Sequence, residues 1–299
     1  MKIISAGEVL WDILPSSEHL GGAPFNFAWH AHHLGHEICF VSAVGNDQHG
    51  NLAVKKMSEA GLSTRFIRRV PNCPTGIVTV AMDSLGLPHY TIHRPAAYDF
   101  PALSPADFDA LLNPSPDWIY FGTLEQMSAP AHDFTLRLLA SAPTSKRFYD
   151  LNLRANSYTP ELVRILAGHA NVVKLNEQEV PILREIAAVR GGSGEQFCRN
   201  CLSAFDLDAM CITLGSQGCA LLMDNEYLEA PGFSIEVADT VGAGDAFSAA
   251  LVHGINAGWP LSQIAGFANR VGGLVASRPG GTPEWSIDEA NALQSIAGS

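Results

Sequence analysis

The segment Asp239-Thr240-Val241-Gly242-Ala243-Gly244-Asp245-Ala246-Phe247 places three small residues and an acid at the mouth of a helical pattern. Gly242, Ala243 and Gly244 let a ligand approach the backbone closely. Their N–H groups then stand at a helix N-terminus, where anions bind. Asp245 falls in the first helical turn, where an acid favours the helix by about 0.3–1 kcal/mol. It can also take a proton from a hydroxyl that attacks a phosphoryl group. Two phosphate motifs are excluded. Phe247 stands where the dinucleotide fingerprint begun by Gly242-x-Gly244 needs a third glycine, and no Gly-x-x-x-x-Gly-Lys-Ser/Thr occurs.

Other spacings carry possible chemistry. Asn176 and Glu179 lie one turn apart on one helix face, which suits ligation and equally suits an N-cap with its partner acid. Thr213-Leu214-Gly215-Ser216-Gln217-Gly218 follows a strand and has two glycines that suit close approach to a nucleotide, or an ordinary turn. In Asp150-x-Asn152-x-Arg154, strand alternation puts all three side chains on one face. Arg154 there can meet a phosphate or sugar, or form a surface ion pair. His32 and His36 are expected to share a helix face within the run His30, His32, His33, His36. Without a third ligand, that run reads as a partly exposed face, not a metal site. Six cysteines with a single Cys198-x-x-Cys201 spacing read as reduced thiols, not zinc ligands.

Taken together these motifs resemble the PfkB (ribokinase-like) sugar kinase family. The 239–247 segment looks like its C-terminal signature. Gly21-Gly22-Ala23-Pro24-Phe25-Asn26 resembles its N-terminal glycine pair and asparagine, and Asn176 to Glu179 matches its N-x-x-E motif. Thr213 to Gly218 matches its nucleotide loop, and all four stand in family order. Gly7-Glu8-Val9-Leu10-Trp11-Asp12, Phe121-Gly122-Thr123 and Asp150 to Arg154 look most like bacterial fructokinases.

The resemblance implies ATP-dependent phosphorylation of a sugar, fructose at its 6-hydroxyl first of all. A 2-keto-3-deoxygluconate or other ketose kinase and then a nucleoside kinase are the alternatives. A non-catalytic sugar or nucleotide sensor is the reading of a different class. Asp245 would be the base, with Gly242, Ala243, Gly244 and Arg154 at the transferring phosphate. Asp12, Gly21, Gly22, Asn26 and Arg94 would bind the sugar. Asn176, Thr213, Gly215, Ser216, Gly218 and Asn269 would hold ATP, and Glu179 would order magnesium. Asp239, with the carbonyls of Val241, Val275, Arg278 and Gly280, would form a potassium site, although Glu284 departs from the expected small hydroxyl residue.

Composition sets the frame for these expectations. The 299 residues include 30 acidic against 18 basic side chains, a formal charge of −12, with 47% hydrophobic and 16% charged residues. That excludes a disordered or coiled-coil chain and argues against nucleic-acid binding through a broad basic face. No apolar run reaches the length of a membrane span, and a cytoplasmic protein is expected. Since ATP and sugar phosphates are anions and only five basic residues are lysine, phosphate binding is expected to rest on backbone amides, magnesium and Arg154.

Apolar runs alternate with helical patterns, which implies a mainly parallel sheet covered by helices, a three-layer α/β fold. Strands are expected at Lys2–Ala6, 37–44, 118–121, 147–151, 172–175 and 210–214, with a short one at 233–238. Helices are expected at 24–34, 47–60, 130–141, 159–168, 176–190, 194–205, 243–257 and 261–276. Strand signals around a turn at 83–87 interrupt that rhythm. Residues 8–20 and 70–98 therefore read as a small β lid on one kinase domain spanning 1–299, with its exposed surface a dimer contact.

Overall fold

The computed structural model describes residues 1–14, 17–82 and 88–293; the turn expected at 83–87 lies outside them. In chain order the strands are β1 (Lys2–Ala6), β2 (Leu10–Ile13), β3 (Glu18–Gly21), β4 (Glu37–Gly45), β5 (Ile67–Val70), β6 (Gly76–Met82), β7 (Pro88–Ile92), β8 (Trp118–Gly122), β9 (Lys146–Asp150), β10 (Val172–Asn176), β11 (Ala209–Thr213), β12 (Cys219–Met223) and β13 (Glu226–Ala230). The helices are α1 (Ala23–His33), α2 (Gln48–Glu59), α3 (Pro105–Leu111), α4 (Ala129–Ser141), α5 (Pro160–Ala167), α6 (Val180–Ile186), α7 (Gly194–Phe205), α8 (Ala243–Asn256), α9 (Leu261–Ala276) and α10 (Ile287–Ala292).

The large sheet runs β13-β12-β11-β10-β9-β8-β1-β4-β5. It is parallel from β11 to β5, with β12 and β13 added antiparallel at one edge. Strands buried on both faces read as continuous apolar runs, as in Lys2–Ala6, where every residue is buried. Helices cover both faces. Phe25, Phe27 and Trp29 of α1 pack with Leu251 of α8 and Val271 of α9 on one side. Phe134 of α4, Val163 of α5 and Phe197 of α7 fill the other. A second sheet, β3-β2-β6-β7, grows from the chain that leaves β1.

The order of the parallel strands sets the site. From β1 the chain winds outward through β4 and β5, then returns to the other side of β1 as β8 and winds away through β9, β10 and β11. Open α/β sheets bind ligands beyond the carboxyl ends of strands at such a switch. Those ends carry Gly7, Gly122, Asp150, Asn176 and Thr213.

Three expectations about elements fail. Residues 233–238 form no strand beyond a single bridge at Phe233, because the segment runs to the site as a loop instead of adding to the sheet edge already closed by β13. Helix α1 stops at His33, with Gly35 in left-handed backbone at φ 83°, so His36 does not continue the face of His32. His36 Nε2 instead lies 2.9 Å from Nδ1 of His253 on α8. The helix expected over 176–190 is confined to Val180–Ile186.

Helix α1 must seat firmly because it carries Asn26. Its Phe27 is fully buried, stacked on Tyr120 of β8 at 3.9 Å between ring centroids and near Phe148 of β9. Phe27→Ala should cost about 3–5 kcal/mol of stability, read from denaturant unfolding, and a cost below about 1 kcal/mol would show that this seat is not a principal contact.

Candidate active site

Helix α8 opens at Gly242, which sits at φ 75°. A side chain there would strain the backbone and strike the backbone of Gly281. The turn that results leaves the N–H groups of Gly242, Gly244 and Asp245 without an acceptor among the described residues, while Ala243 N–H bonds Thr240 O at 3.3 Å. Unsatisfied donors at a 14-residue helix N-terminus form a ready anion cradle. Asp245 is 8% exposed at its edge. Its Oδ2 accepts a 2.8 Å hydrogen bond from Nδ2 of Asn26. Burial, helped by the Asp150 carboxylate, pushes Asp245 up to about 6 against the opposing pull of Lys174, Asn26 and Arg154.

Beneath the cradle lies a buried ion pair whose lysine sequence reasoning missed. Lys174 Nζ sits 3.1 and 3.0 Å from the two carboxylate oxygens of Asp150. Ser248 Oγ and Tyr120 O–H donate to Asp150 Oδ2 at 3.0 and 3.3 Å. A Cβ on Gly244 would stand 3.1 Å from Lys174 Nζ, so the ammonium is directly under the turn. Burial alone would lower its pKa, but Asp150, Asp245 and Glu179 hold it above the ordinary value. The available signal was one lysine inside the apolar run Val172-Val173-Lys174-Leu175, since buried lysine is rare unless paired. The expectation that phosphate binding rests on amides, magnesium and Arg154 therefore omits a cation.

Opposite the cradle, β2 and β3 bring Asp12 and Gly21 together. A Cβ on Gly21 would lie 2.8 Å from Asp12 Oδ2, so glycine leaves room for the carboxylate. Gly22, at φ 109°, lets the chain cross the Glu8 carbonyl, which a Cβ would approach to 2.5 Å. Burial pushes Asp12 up to about 6 and Glu8 to about 7, and Arg154 opposes both. Glu8 is 4% exposed and its Oε2 has no hydrogen-bond partner among the described residues. It was quoted within a motif but given no role.

Arg154 does not lie on a strand with Asp150 and Asn152. Strand β9 ends at Asp150, Asn152 turns at φ 40°, and Arg154 is exposed, its guanidinium reaching only the Leu153 carbonyl, at 3.4 Å, among the described residues. Its charge nonetheless acts on Asp12, Glu8 and Asp245, so a turn rather than alternation brings it near all three. Arg94 is committed: its guanidinium pairs with Asp99 and donates to Leu124 O at 2.8 Å.

At the ends of β10 and β11 the expected ATP residues form a reciprocal pattern. Glu179 Oε2 accepts Asn176 N–H at 2.8 Å and Asn176 Oδ1 accepts Glu179 N–H at 3.0 Å. Glu179 Oε1 also accepts Leu153 N–H at 2.6 Å. Burial raises this carboxyl, with those amides and Lys174 opposing. Thr213 Oγ1 donates to Leu175 O at 3.4 Å. Gly215 opens onto free space, whereas Gly218, at φ 103°, lies against the backbone of Ala230 to Gly232, as does the Ser216 carbonyl. Asn269 of α9 is buried and donates to Ala230 O and Pro231 O at 3.2 and 3.1 Å, so it clamps the backing of the 215–218 turn.

Asp239 ties two loops. Its Oδ1 accepts Val241 N–H and its Oδ2 accepts Gly280 N–H, both at 3.0 Å. Val275 O, within α9, accepts Arg278 N–H at 3.0 Å, and the Arg278 guanidinium binds Glu284 O and pairs with Glu289. The structure thus brings Asp239, Val241 and Gly280 together. The described residues contain no cluster of three or more His, Cys, Asp or Glu side chains able to hold a metal, and no helix long and apolar enough to cross a membrane. All six cysteines are free.

The pattern of pfkB family carbohydrate kinases matches residues 15–287. A sugar kinase of Pyrococcus horikoshii is 28% identical, covering 97% of this chain and 94% of its own length. A fructokinase of Vibrio alginolyticus is 25% identical over 92% of each chain. The ATP-bound structure of a Xylella fastidiosa fructokinase superposes with a TM-score of 0.84 at 22% identity, covering 97% of both chains. The ribokinase-like fold and the family follow together: the chain belongs to the pfkB family of carbohydrate kinases.

Proposed function

We propose that this carbohydrate kinase transfers the γ-phosphoryl group of ATP to the 6-hydroxyl of fructose, with Asp245 as general base. The observation that carries the reading is the buried Asp245 carboxylate, one oxygen held by Asn26, at the edge of unsatisfied N–H groups on α8. Oδ1 is left to accept the attacking hydroxyl's proton. A base whose pKa lies near 6 is mostly ionised at neutral pH yet can still take a proton in the transition state. The Gly242–Gly244 amides and Lys174 meet the charge of the transferring group, and such positioning and charge stabilisation is most of phosphoryl-transfer catalysis.

Asp12 accepts hydrogen bonds from sugar hydroxyls, with Gly21, Gly22 and Asn26 shaping the pocket around it. The second sheet, from about 8–20 and 70–98, closes over the sugar as a lid and excludes water as a competing acceptor. Glu179 and Asn176 fit a magnesium ion held through water: their oxygens are hard donors, and magnesium commonly keeps several waters. When bound, the ion offsets phosphate charge. The turn at Thr213 to Gly218, backed by Asn269, supports the nucleotide. A monovalent cation near Asp239 would add to a tie that the carboxylate already makes.

Charge bears on the choice of sugar. Relatives and neighbours include an aminoimidazole riboside kinase and a 2-dehydro-3-deoxygluconokinase. Asp12, Glu8 and Asp245 all lie within reach of the Arg154 charge, and Arg94 is paired with Asp99. Only Arg154 among the named cations is free to meet a substrate carboxylate, which favours a neutral ketose over an acid sugar.

Two outcomes follow. Asp245→Asn should lower kcat by roughly 10²–10⁴-fold with the melting temperature and MgATP affinity unchanged, and undiminished turnover would remove Asp245 from the mechanism. In an ADP-release panel with magnesium, fructose should exceed 2-keto-3-deoxygluconate and nucleosides in kcat/KM by about tenfold or more, which corresponds to about 1.4 kcal/mol of transition-state binding. Preference for the acid sugar would overturn the charge argument, and tight sugar binding without ADP release would indicate a sensor.

A further inference from the structure

The loop from Pro279 to Trp285 presses on the anion turn, and helix α1 holds that loop through His30. His30 is fully buried one helical turn after Asn26, so both side chains leave the same face of α1. Its ring nitrogens have partners of fixed character. Nε2 lies 3.0 Å from the Gly281 carbonyl, and Nδ1 lies 3.1 Å from Nε1 of Trp285. A carbonyl only accepts and an indole N–H only donates. The imidazole is therefore neutral, with its proton on Nε2 and a free lone pair on Nδ1. Trp285 is in turn held by His33, whose Nε2 meets the Trp285 carbonyl.

The residue so gripped is a spacer between two parts of the site. A Cβ on Gly242 would collide with the Gly281 backbone, and a Cβ on Gly281 would lie 2.9 Å from Asn26 Nδ2. Gly281 is thus wedged between the first residue of the anion turn and the amide that holds Asp245. Its neighbour Gly280 is tied to the same turn through Asp239. Nothing in the motifs pointed to His30 or Trp285, which are 255 positions apart in sequence.

We infer that His30, in the Nε2–H tautomer imposed by the Gly281 carbonyl and Trp285, is a positioning residue for phosphoryl transfer: it fixes Gly281 against Gly242 and Asn26 and so keeps the anion turn and Asp245 in register. The inference rests on the reading of Asp245 as base and of Gly242–Gly244 as the phosphate cradle. His30 touches neither substrate, so its loss should act on kcat and leave the KM for the sugar in place.

The test uses the full chain. His30→Phe keeps the ring volume and removes both hydrogen bonds; it should lower kcat by about 10- to 100-fold, the scale of a small misplacement, with the sugar KM moved by less than about twofold. Trp285→Phe removes only the donor to Nδ1 and should lower kcat less, in the same pattern. Imidazole ¹⁵N spectra of the unmodified protein should show His30 as the Nε2–H tautomer alone, and in Trp285→Phe, where the Gly281 carbonyl still requires a proton on Nε2, the Nδ1 signal should move as it loses its donor. Unchanged kcat in a folded His30→Phe, or an Nδ1–H or doubly protonated His30 in the unmodified protein, overturns the inference. If His30→Phe does not fold, Trp285→Phe decides: reduced kcat with an unmoved sugar KM supports the inference and unchanged kcat overturns it. Asp245→Asn run alongside separates the two levels. An active Asp245→Asn sinks the base assignment, whereas an inactive one beside fully active His30→Phe and Trp285→Phe sinks only the positioning role.

Discussion

A hydrogen bond from Asn26 to Asp245 joins helix α1 to helix α8 across 219 positions of sequence, and the geometry of the site hangs on it. It holds a carboxylate, lifted by burial to about 6, at the edge of the α8 N-terminus, where the proposed mechanism needs a proton acceptor. Each end is fixed from behind. Gly22 and Pro24 set the entry of α1, and the stacked rings of Phe27, Tyr120 and Phe148 seat it on the sheet. The turn at Gly242 starts α8, and Gly281 fills the space between the two helices. Glycine at these positions is a matter of space as much as conformation, because a single Cβ would part Asp245 from Asn26.

Electrostatics explains how a chain with a formal charge of −12 can accept anionic ligands. The positive potential is local: backbone N–H groups at a helix N-terminus, and the Lys174 ammonium directly beneath them. Lys174 is not a free cation, since Asp150 accompanies it in the interior. Buried ion pairs are weak evidence of stability. This one keeps Lys174 charged under the α8 turn, where desolvation alone would lower its pKa. Around Arg154 the surplus is negative, with Glu8, Asp12 and Asp245 gathered there and all pushed upward by burial. In the proposed reading a neutral sugar donates hydrogen bonds to such a set, whereas a carboxylate would add to its repulsion.

Much of this was legible in the amino-acid sequence, for identifiable reasons. Apolar runs such as Lys2–Ala6 and Val172–Asn176 betray parallel strands because both faces are buried, and glycines after helices mark their ends. Asp245 was visible as an acid beside small residues at a helix start, whereas Asn26 and Asn176 stood out only through the family resemblance, since each also suits an ordinary helix start. What escaped depended on long-range contact. Lys174 sits within an apolar strand, and its partner Asp150 lies on the neighbouring one, so only the sheet register pairs them. The Asp150-Asn152-Arg154 alternation misled because the strand stops at Asp150 and a positive-φ residue turns the chain. Strands β12 and β13 were missed because they form an antiparallel ribbon in a region read by its glycines. His30 looked like part of a surface histidine run, yet its environment is made by the far end of the chain.

The most direct measurement is kcat as a function of pH at saturating sugar and MgATP, conditions that take sugar binding by Asp12 out of the rate. Asp245 must be ionised to accept the proton, and burial lifts its pKa to about 6. The rate should therefore be level at higher pH and fall about tenfold per unit on the acid side of a pKa of about 6 or above. A profile that stays level down to about pH 4.5, as an ordinary exposed aspartate would allow, would contradict a buried Asp245 as the proton acceptor.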